Sequence, residues 1–256
     1  MIHPSAIIDP AAALGENVSV GPFCVIGADV RIGSGSQIGP HVVIKGATRI
    51  GQDNRIYQFA SVGEDPQDKK YAGERTLLKI GDRNVIREFV TINRGTLQDE
   101  GITSIGNDNL FMAYVHVAHD CSIGNNVIMA NAASLGGHVQ IDDWAILGGF
   151  TLVHQFSRVG AYSFSAMGSA IGKDVPPYVM VDGKPAKPRG INAEGLKRHG
   201  FSKEDLSGIR RAYKMLYQSG LPLEQAISEI AIMQDDKALL QPMVKFLQSR
   251  VRSIIR

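Results

Sequence analysis

An aliphatic residue recurs at every sixth position through the first quarter of the chain, and this repeat restricts the possible folds more than any other feature of the sequence. If about a quarter of residues were Ile, Leu or Val at random, ten consecutive matches would have odds on the order of one in a million. Glycine commonly follows the aliphatic residue, as at Gly15, Gly21 and Gly27. The spacing therefore predicts a hexapeptide array. The aliphatic positions are Ile8, Leu14, Val20, Ile26, Ile32, Ile38, Ile44, Ile50, Ile56 and Val62.

The residue two positions before the aliphatic one is usually small or β-branched, as at Val18, Cys24 and Val30. Because side chains two apart on a strand point to the same face, each hexad presents two inward residues and then turns a corner. Three hexads make one triangular coil, and residues one coil apart stack about 4.8 Å from each other. The sequence thus predicts an all-β parallel β-helix.

Two polar insertions interrupt the array, and both are predicted to be projecting loops, at about 63–79 and 94–103. The second insertion shifts the phase of the repeat by one residue. The array then resumes at Ile105 and runs to near Ile171. Pro176 and Pro177 are expected to close it, since neither can donate a ladder hydrogen bond.

The period changes after the array, which predicts a β-helix domain at 1–186 and a helical domain at 187–256. Ser202 and Asp205 have the spacing of a capping box at the start of the first helix. "LPLEQAISEIAIM" and "DDKALLQPMVKFLQSRVRSIIR" are predicted to be helical, with an interruption near Pro242. The helical domain carries a net charge of +6 on a body of −4. Such a surface could attract an acidic partner or phosphates, or be an ordinary solvated helical face.

Several classes of protein are not expected from this composition. No run of about 18 apolar residues is present, so no membrane span is predicted. The N-terminus lacks the pattern of a signal peptide. Cys24 and Cys121 are far apart and fit no metal or redox spacing, which favours free thiols in the reducing cytoplasm. Neither a nucleic-acid partner nor a cofactor is predicted.

The stretch "VHVAHDC", at 115–121, carries two histidines and an aspartate. The repeat places Val117 inward, His116 on the outer surface of a strand, and His119 at a corner. One column of stacked corners contains His119, Gly137 and Gln155. The neighbouring column contains Asp120, His138 and Phe156, and His154 lies beside Gln155.

Three interpretations of this corner remain open from the spacing alone. A zinc site would use histidine ligands, as in the γ-class carbonic anhydrases, which are also hexapeptide proteins. A general base would be His119, with Asp120 fixing its tautomer and the Gly137 N–H near a developing oxyanion. A polar corner without chemistry is the third interpretation, and it would suit a β-helix binding or scaffold protein.

Six motifs in chain order resemble the UDP-N-acetylglucosamine O-acyltransferase family. The resemblance covers essentially the whole chain. It implies a homotrimer of left-handed β-helices with active sites in the clefts between subunits. It also implies transfer of a (3R)-3-hydroxyacyl group from acyl carrier protein to the sugar's 3-hydroxyl, the first step of lipid A biosynthesis, with no metal or cofactor. The motifs are "DNRIYQFASVGEDPQDKKYAGE" (53–74), "HVAHDC" (116–121), "GGHV" (136–139), "VHQF" (153–156), "DVPPYV" (174–179) and "NAEGLKRHGF" (192–201).

The resemblance assigns a role to each matching residue. The catalytic base would be His119, with Asp120 beside it and the oxyanion amide at Gly137. Acyl carrier protein, which is acidic, would suit the basic helical domain, where Arg198, Lys203, Arg210, Arg211 and Lys214 cluster. Substrate contacts would fall on Asp68, Lys70, His116, His138, His154 and Gln155, and the uridine and phosphate contacts on Asn192, Glu194 and Arg198.

Three positions refine this expectation. Asn93 stands where the family pattern has histidine, and His199 follows Arg198 where a second arginine is common. Met167 falls where the acyl groove can be limited, which predicts an acyl chain nearer ten carbons than fourteen. The alternatives are N-acyl transfer to a 3-amino sugar and the carbonic-anhydrase-like metal site.

Overall fold

The computed structural model describes residues 1–233 and 238–256, and its main body is a parallel β-helix. Each coil contributes one short strand to each of three sheets, called here the first, second and third faces. Strands pair in parallel with the strand one coil away, as in Val25↔Val43 and Ile26↔Ile44. The predicted inward residues form the core, and Val30, Val42 and Ile44 are fully buried in it.

The first face has nine strands, at Ile7–Ile8, Val25–Ile26, Val43–Ile44, Ser61–Glu64, Thr91–Asn93, His116–Val117, Ser134–Leu135, Leu152–Val153 and Ala170–Ile171. The second has eight, at Ala13–Leu14, Val30–Ile32, Ala47–Ile50, Leu77–Ile80, Ile102–Ile105, Ser122–Ile123, Gln140–Ile141 and Arg158–Val159. The third has ten, at Ser19–Val20, Gln37–Ile38, Arg55–Ile56, Val85–Ile86, Leu110–Phe111, Ile128–Met129, Ile146–Leu147, Phe164–Ser165, Val179–Asp182 and Lys187–Ile191.

The corners form three edges that run along the β-helix. The first edge joins the first and second faces and contains His119 and His138. The second edge joins the second and third faces and contains Trp144. The third edge joins the third and first faces and contains Tyr114. Many corner residues have positive φ without being glycine, and side chains one coil apart stack on each other. At the third edge, the Phe89 and Tyr114 rings stack with centroids 4.9 Å apart.

Both loops project from the first edge, at residues 65–76 and 94–101. Neither loop interrupts the sheets, although the second shifts the phase of the repeat by one residue. Val62 pairs with Ile92 across the first loop, and Ile92 pairs with Val117 across the second. The core therefore stays continuous while extra chain collects on one edge.

The expectation that Pro176 and Pro177 close the array is wrong. The chain turns a corner there and adds Val179–Asp182 in parallel to the third face, with Phe164 opposite Met180. Lys187–Ile191 then returns antiparallel and ends the sheet. The prolines are tolerated because they lie at a corner, where a strand hydrogen bond is not needed.

Four helices follow, at α1 (Ala193–Arg198), α2 (Lys203–Gln218), α3 (Leu223–Ile232) and α4 (Gln241–Gln248). The capping box at the start of α2 is present in both directions, between Ser202 and Asp205. The predicted interruption of a helix near Pro242 is wrong. Pro242 lies in the first turn of α4, where its missing N–H costs nothing. The start of the predicted last helix, at 235–237, lies outside the described residues.

The C-terminal segment is attached to the β-helix through Arg158. Its Nε donates to the buried Asp174 carboxylate at 2.9 Å, and its Nη2 donates to the Phe246 carbonyl at 2.9 Å. The guanidinium also lies over the Phe246 ring. No helix in residues 1–233 or 238–256 has the length and apolar character needed to cross a membrane.

Candidate active site

The two histidines of "VHVAHDC" lie where the coil register predicts, but they are more enclosed than surface groups. His116 is the outward residue of the strand His116–Val117 on the first face. His119 is at the first edge, and its side chain is only 14% exposed. The His119 ring is enclosed by Asp120, Gly137 and His138. Neither histidine is part of the aliphatic core.

His119 and Asp120 form a hydrogen-bonded pair, with His119 Nδ1 at 2.8 Å from Asp120 Oδ2. An ionised carboxylate can only accept, so Nδ1 carries the proton and Nε2 is left as the basic nitrogen. The Asp120 side chain is 1% exposed. This geometry is that of a histidine base held by a carboxylate.

Thr96 completes the environment of the carboxylate. Its N–H donates to Asp120 Oδ1 at 2.8 Å, and its hydroxyl donates to Oδ2 at 2.7 Å. Burial opposes ionisation of Asp120, but the hydrogen bonds from His119 and Thr96 outweigh it and hold the pKa of Asp120 below its usual range. The carboxylate is therefore charged at neutral pH.

His116 is in a different environment. Its Nδ1 lies 2.7 Å from the Thr91 hydroxyl. Burial, followed by the nearby charge of His119, lowers the pKa of His116. His116 is thus favoured as a neutral imidazole, suited to hydrogen bonding with a ligand.

Gly137 lies directly against the imidazole of His119. A Cβ built on Gly137 would be 2.5 Å from His119 Cε1 and 2.7 Å from Nε2, closer than real side chains allow. Among the residues that the structure describes, none accepts a hydrogen bond from the Gly137 N–H. Glycine is required here for space, and its N–H remains available to a ligand.

His138 is the second ring of this cluster. It stacks on Phe156 with centroids 4.4 Å apart and meets His119 edge-on at 5.2 Å. Its Nδ1 is 2.8 Å from Asp99 Oδ2, and its Nε2 is 3.8 Å from Asp120 Oδ2. His138 is therefore held between two carboxylates and an aromatic ring.

His119, Asp120 and His138 each offer one potential metal-ligand atom, all within 4.8 Å of one another. The nitrogen that His119 directs at Asp120 is already hydrogen-bonded to it. A metal there would have to replace the His119–Asp120 bond and the contacts from Thr96. Hydrogen bonds between the candidate ligands fit a general base better than a metal-binding set.

His154 and Gln155 are exposed, one coil beyond Gly137. Arg252, in the C-terminal segment, donates to the Gln155 carbonyl at 2.5 Å. A cavity of about 520 Å³ opens on the second face beside the histidine cluster. Its lining includes Asp99, Ile102, Ser122, Gln140, Phe156 and Arg252.

The projecting loop 65–76 carries Asp68 and Lys70, linked by a hydrogen bond from the Lys70 N–H to Asp68 Oδ1 at 2.9 Å. The buried Arg94 fixes this loop by donating to Gly63 O at 2.5 Å and to the Tyr71 hydroxyl at 2.9 Å. Asn93, the residue that departs from the family pattern, donates to the Asp65 carbonyl at 2.7 Å. Asn93 therefore holds the same loop.

The nucleotide-contact candidates lie on a different edge from His119. Asn192 caps α1 and donates to the Tyr162 carbonyl at 3.0 Å, which places it at the second edge. Glu194 is paired with Lys197, and Arg198 is exposed nearby. His199 packs edge-on against Trp144, with ring centroids 4.4 Å apart.

Met167 lies at the third edge, with 76% of its surface exposed. The candidate residues of one chain are thus distributed over three edges. The first edge collects His119, Asp120, Gly137, His138, His154 and Gln155, together with Asp68 and Lys70 on its projecting loop and His116 on the adjoining first face.

Sequence reasoning missed Thr96, Asp99 and Arg94. All three follow directly after the strand Thr91–Asn93 or lie in the loop 94–101, where the hexad register does not apply. The one signal was the phase shift itself, which marked extra chain at the edge that bears His119.

Two comparisons with family models define the class of protein. Residues 11–46 and 102–137 match the model described as bacterial transferase hexapeptide (six repeats). Residues 174–255 match the model described as UDP N-acetylglucosamine O-acyltransferase, domain 2. Together with the triangular coil and the His119–Asp120 pair, these matches define a hexapeptide-repeat acyltransferase.

Individual relatives make the assignment specific. The chain is 57% identical over 262 residues to the acyl-(acyl-carrier-protein)–UDP-N-acetylglucosamine O-acyltransferase of Janthinobacterium sp. (strain Marseille), covering 100% of this chain and 99% of the relative. The structure of LpxA from Acinetobacter baumannii is 47% identical with a TM-score of 0.95, covering 100% of this chain and 99% of that one. The UDP-N-acetylglucosamine acyltransferase of Francisella novicida is 44% identical with a TM-score of 0.98, covering 100% and 94%.

The chain belongs to the UDP-N-acetylglucosamine O-acyltransferase family and is an enzyme of that family. Its fold is accordingly a left-handed parallel β-helix followed by a small helical part. The parallel β-helix predicted from the hexads is confirmed, and so is the left-handed winding that the family resemblance implied.

Proposed function

We propose that this enzyme transfers a (3R)-3-hydroxyacyl group from acyl carrier protein to the 3-hydroxyl of UDP-N-acetylglucosamine, the first step of lipid A biosynthesis. The names of its relatives support the donor and the acceptor. The observation that carries the mechanism is the His119–Asp120 pair, with Nδ1 bonded to Oδ2 at 2.8 Å and the ring lying against Gly137.

The reaction requires two transfers of a proton, first from the acceptor hydroxyl to His119 and then from His119 to the leaving group. His119 Nε2 takes the proton of the acceptor hydroxyl as its oxygen attacks the thioester carbonyl carbon. The charged imidazole is stabilised by Asp120, and the oxyanion of the tetrahedral intermediate accepts the Gly137 N–H. When the carbon–sulfur bond breaks, His119 returns the proton to the leaving thiolate. Ester and free thiol are the products, and no metal or cofactor takes part.

The remaining polar candidates are proposed to bind the acceptor. His116, His138, His154 and Gln155 would contact the sugar at the first edge, with Asp68 and Lys70 closing over it from the loop. Asn192, Glu194 and Arg198 would hold the uridine and phosphates.

A homotrimer is proposed because, within one chain, the sugar-contact candidates lie at the first edge and the uridine- and phosphate-contact candidates at the second. A neighbouring copy that presents its second edge to this chain's first edge would bring Asn192 close to His119. Exposed aromatic side chains at the third edge offer further apolar surface for contact between subunits, with Phe23 60%, Phe59 49% and Tyr114 60% exposed. The three-fold assembly would then contain three equivalent sites.

The acyl chain is proposed to be short, nearer ten carbons than fourteen. Leu152, Phe150 and Met167 are exposed apolar side chains on the first face and the third edge, and they could line an acyl groove. A bulky Met167 at the end of that groove would limit its length. Replacing methionine by a smaller residue should lengthen the groove.

Acyl carrier protein is proposed to dock on the basic helical part. Arg198, Lys203, Arg210, Arg211 and Lys214 are all exposed there. An acidic partner would be guided mainly through its association rate. Charge reversal of Arg210 and Arg211 to Glu should raise KM for the acyl donor and leave KM for the sugar unchanged, while Arg31→Glu on the distant second face should change neither.

A cytoplasmic location is also proposed, since Cys24 and Cys121 are buried as free thiols.

One experiment tests the function. The enzyme is incubated with (3R)-3-hydroxydecanoyl carrier protein and UDP-N-acetylglucosamine, and the product is identified by mass spectrometry before and after mild alkali. An alkali-labile acyl sugar supports O-acylation, whereas transfer only to a 3-amino analogue, giving an alkali-stable amide, supports the N-acyl alternative. Activity lost to a chelator and restored by zinc would instead support the metal site.

A further inference from the structure

We propose that Thr96 is a positioning residue for the His119–Asp120 pair, fixing the rotation of the Asp120 carboxylate so that Oδ2 points at His119 Nδ1. Thr96 is 1% exposed and contributes two separate donors to the carboxylate. Its N–H reaches Oδ1 at 2.8 Å and its hydroxyl reaches Oδ2 at 2.7 Å. The catalytic part of the inference rests on the proposed function.

The backbone around Thr96 is shaped for this contact. A Cβ on Gly95 would lie 2.2 Å from Ile102 N and 2.7 Å from Asp120 Oδ1. Only glycine at position 95 lets the loop approach the carboxylate so closely. From the other side, the Asp120 N–H donates to the Thr103 hydroxyl at 2.8 Å. Asp120 is thus held through its backbone by one threonine and through its side chain by another.

The orientation of the Asp120 carboxylate matters because two histidines face it and only one of them is hydrogen-bonded to it. Asp120 Oδ2 is 2.8 Å from His119 Nδ1, and the Nε2 of His138 is 3.8 Å away. A small rotation of the carboxylate would move Oδ2 away from His119 Nδ1 and toward His138 Nε2, and the hydrogen bond that orients His119 would be lost. Donors on both oxygens oppose that rotation, since turning the group would break both contacts with Thr96.

The same loop also restrains His138. Asp99 Oδ2 accepts a hydrogen bond from His138 Nδ1 at 2.8 Å, on the side of the ring away from Asp120. The loop 94–101 therefore holds Asp120 toward His119 and holds His138 on its stack with Phe156. This gives the phase-shifting insertion a function in the active site.

The test compares Thr96→Val, which removes the hydroxyl at constant shape, with Thr96→Ser, which keeps it. Thr151→Val is the matched control, because Thr151 is also buried and its hydroxyl bonds Ser165 Oγ at 2.8 Å, away from this edge. Steady-state kinetics give kcat and KM. The ¹⁵N shifts of His119, assigned by their loss in His119→Ala, report which ring nitrogen carries the proton without requiring any activity.

Thr96→Val is expected to lower kcat about 10- to 100-fold with KM nearly constant, and to reduce the Nδ1–H tautomer of His119. Thr96→Ser and Thr151→Val are expected to behave as wild type. If Thr96→Val does not fold, Thr96→Ala provides the same comparison. Unchanged kcat, or an unchanged tautomer, in a folded variant lacking the hydroxyl overturns the proposal. A wild-type enzyme without transfer activity would instead overturn the proposed function, and the tautomer measurement would still stand.

Discussion

The imidazole of His119 lies so close to Gly137 that a methyl group on Gly137 would sit 2.5 Å from its Cε1 atom. The glycine thus has two functions at one position. It makes room for the ring that is proposed to act as base, and its N–H is proposed to bind the oxyanion. A substitution of Gly137 therefore tests both functions at one position.

Gly137→Ala is expected to lower kcat by about 100-fold or more, because the added methyl group must displace the ring from its productive position. Folding should be retained, since the ring can move toward the open edge. Gly172→Ala is the control, as a Cβ at Gly172 meets nothing within 4 Å. The measurement is kcat with saturating substrates. A folded alanine variant with wild-type kcat would show that the ring position is not critical.

Met167→Gly is expected to shift the preference toward longer acyl chains. Removing an exposed side chain that ends the proposed groove should raise the ratio of kcat/KM for the fourteen-carbon over the ten-carbon donor by on the order of 10- to 100-fold. Met112→Gly, on the same third edge but nearer the N-terminal end of the β-helix, should leave this ratio unchanged. The ten-carbon account is refuted by a wild-type enzyme that already prefers the 3-hydroxymyristoyl donor.

Asn84→Ala is expected to destabilise the β-helix by at least about 2 kcal/mol, because it removes a buried amide that links three coils. Asn84 donates to Asn54 Oδ1 at 3.1 Å and accepts from the Asn109 N–H at 3.0 Å. The free energy of unfolding is measured in urea at constant protein concentration. Gln37→Ala, at an exposed strand position, is the control. A change no larger than that of the control would mean that the ladder adds little stability.

Much of the fold could be predicted from the sequence because two periods are superimposed in it. Alternation along a strand set the inward residues, and the hexad spacing set the coil. The same register brought His119 next to Gly137 and Asp120 next to His138 without any knowledge of three-dimensional contacts. Corner columns are predictable wherever each coil has the same length.

The register fails where the coils differ in length. Thr96 and Asp99 reach the site from an insertion, and nothing in the spacing says how a loop folds back over an edge. The prediction that Pro176 and Pro177 close the array failed for a related reason. A proline can end a strand, but it does not prevent the chain from turning a corner and forming another strand. Loop and corner geometry depends on local contacts that a periodic pattern does not encode.

The most direct test of the central claim is the turnover of His119→Ala with an acyl carrier protein thioester and UDP-N-acetylglucosamine. His3→Ala, which removes an exposed histidine far from the cluster, is the control. If His119 is the general base, kcat falls by about 100- to 10,000-fold in the His119 variant, with the fold retained and the control unaffected. An alanine variant that keeps most of the wild-type kcat would contradict the account.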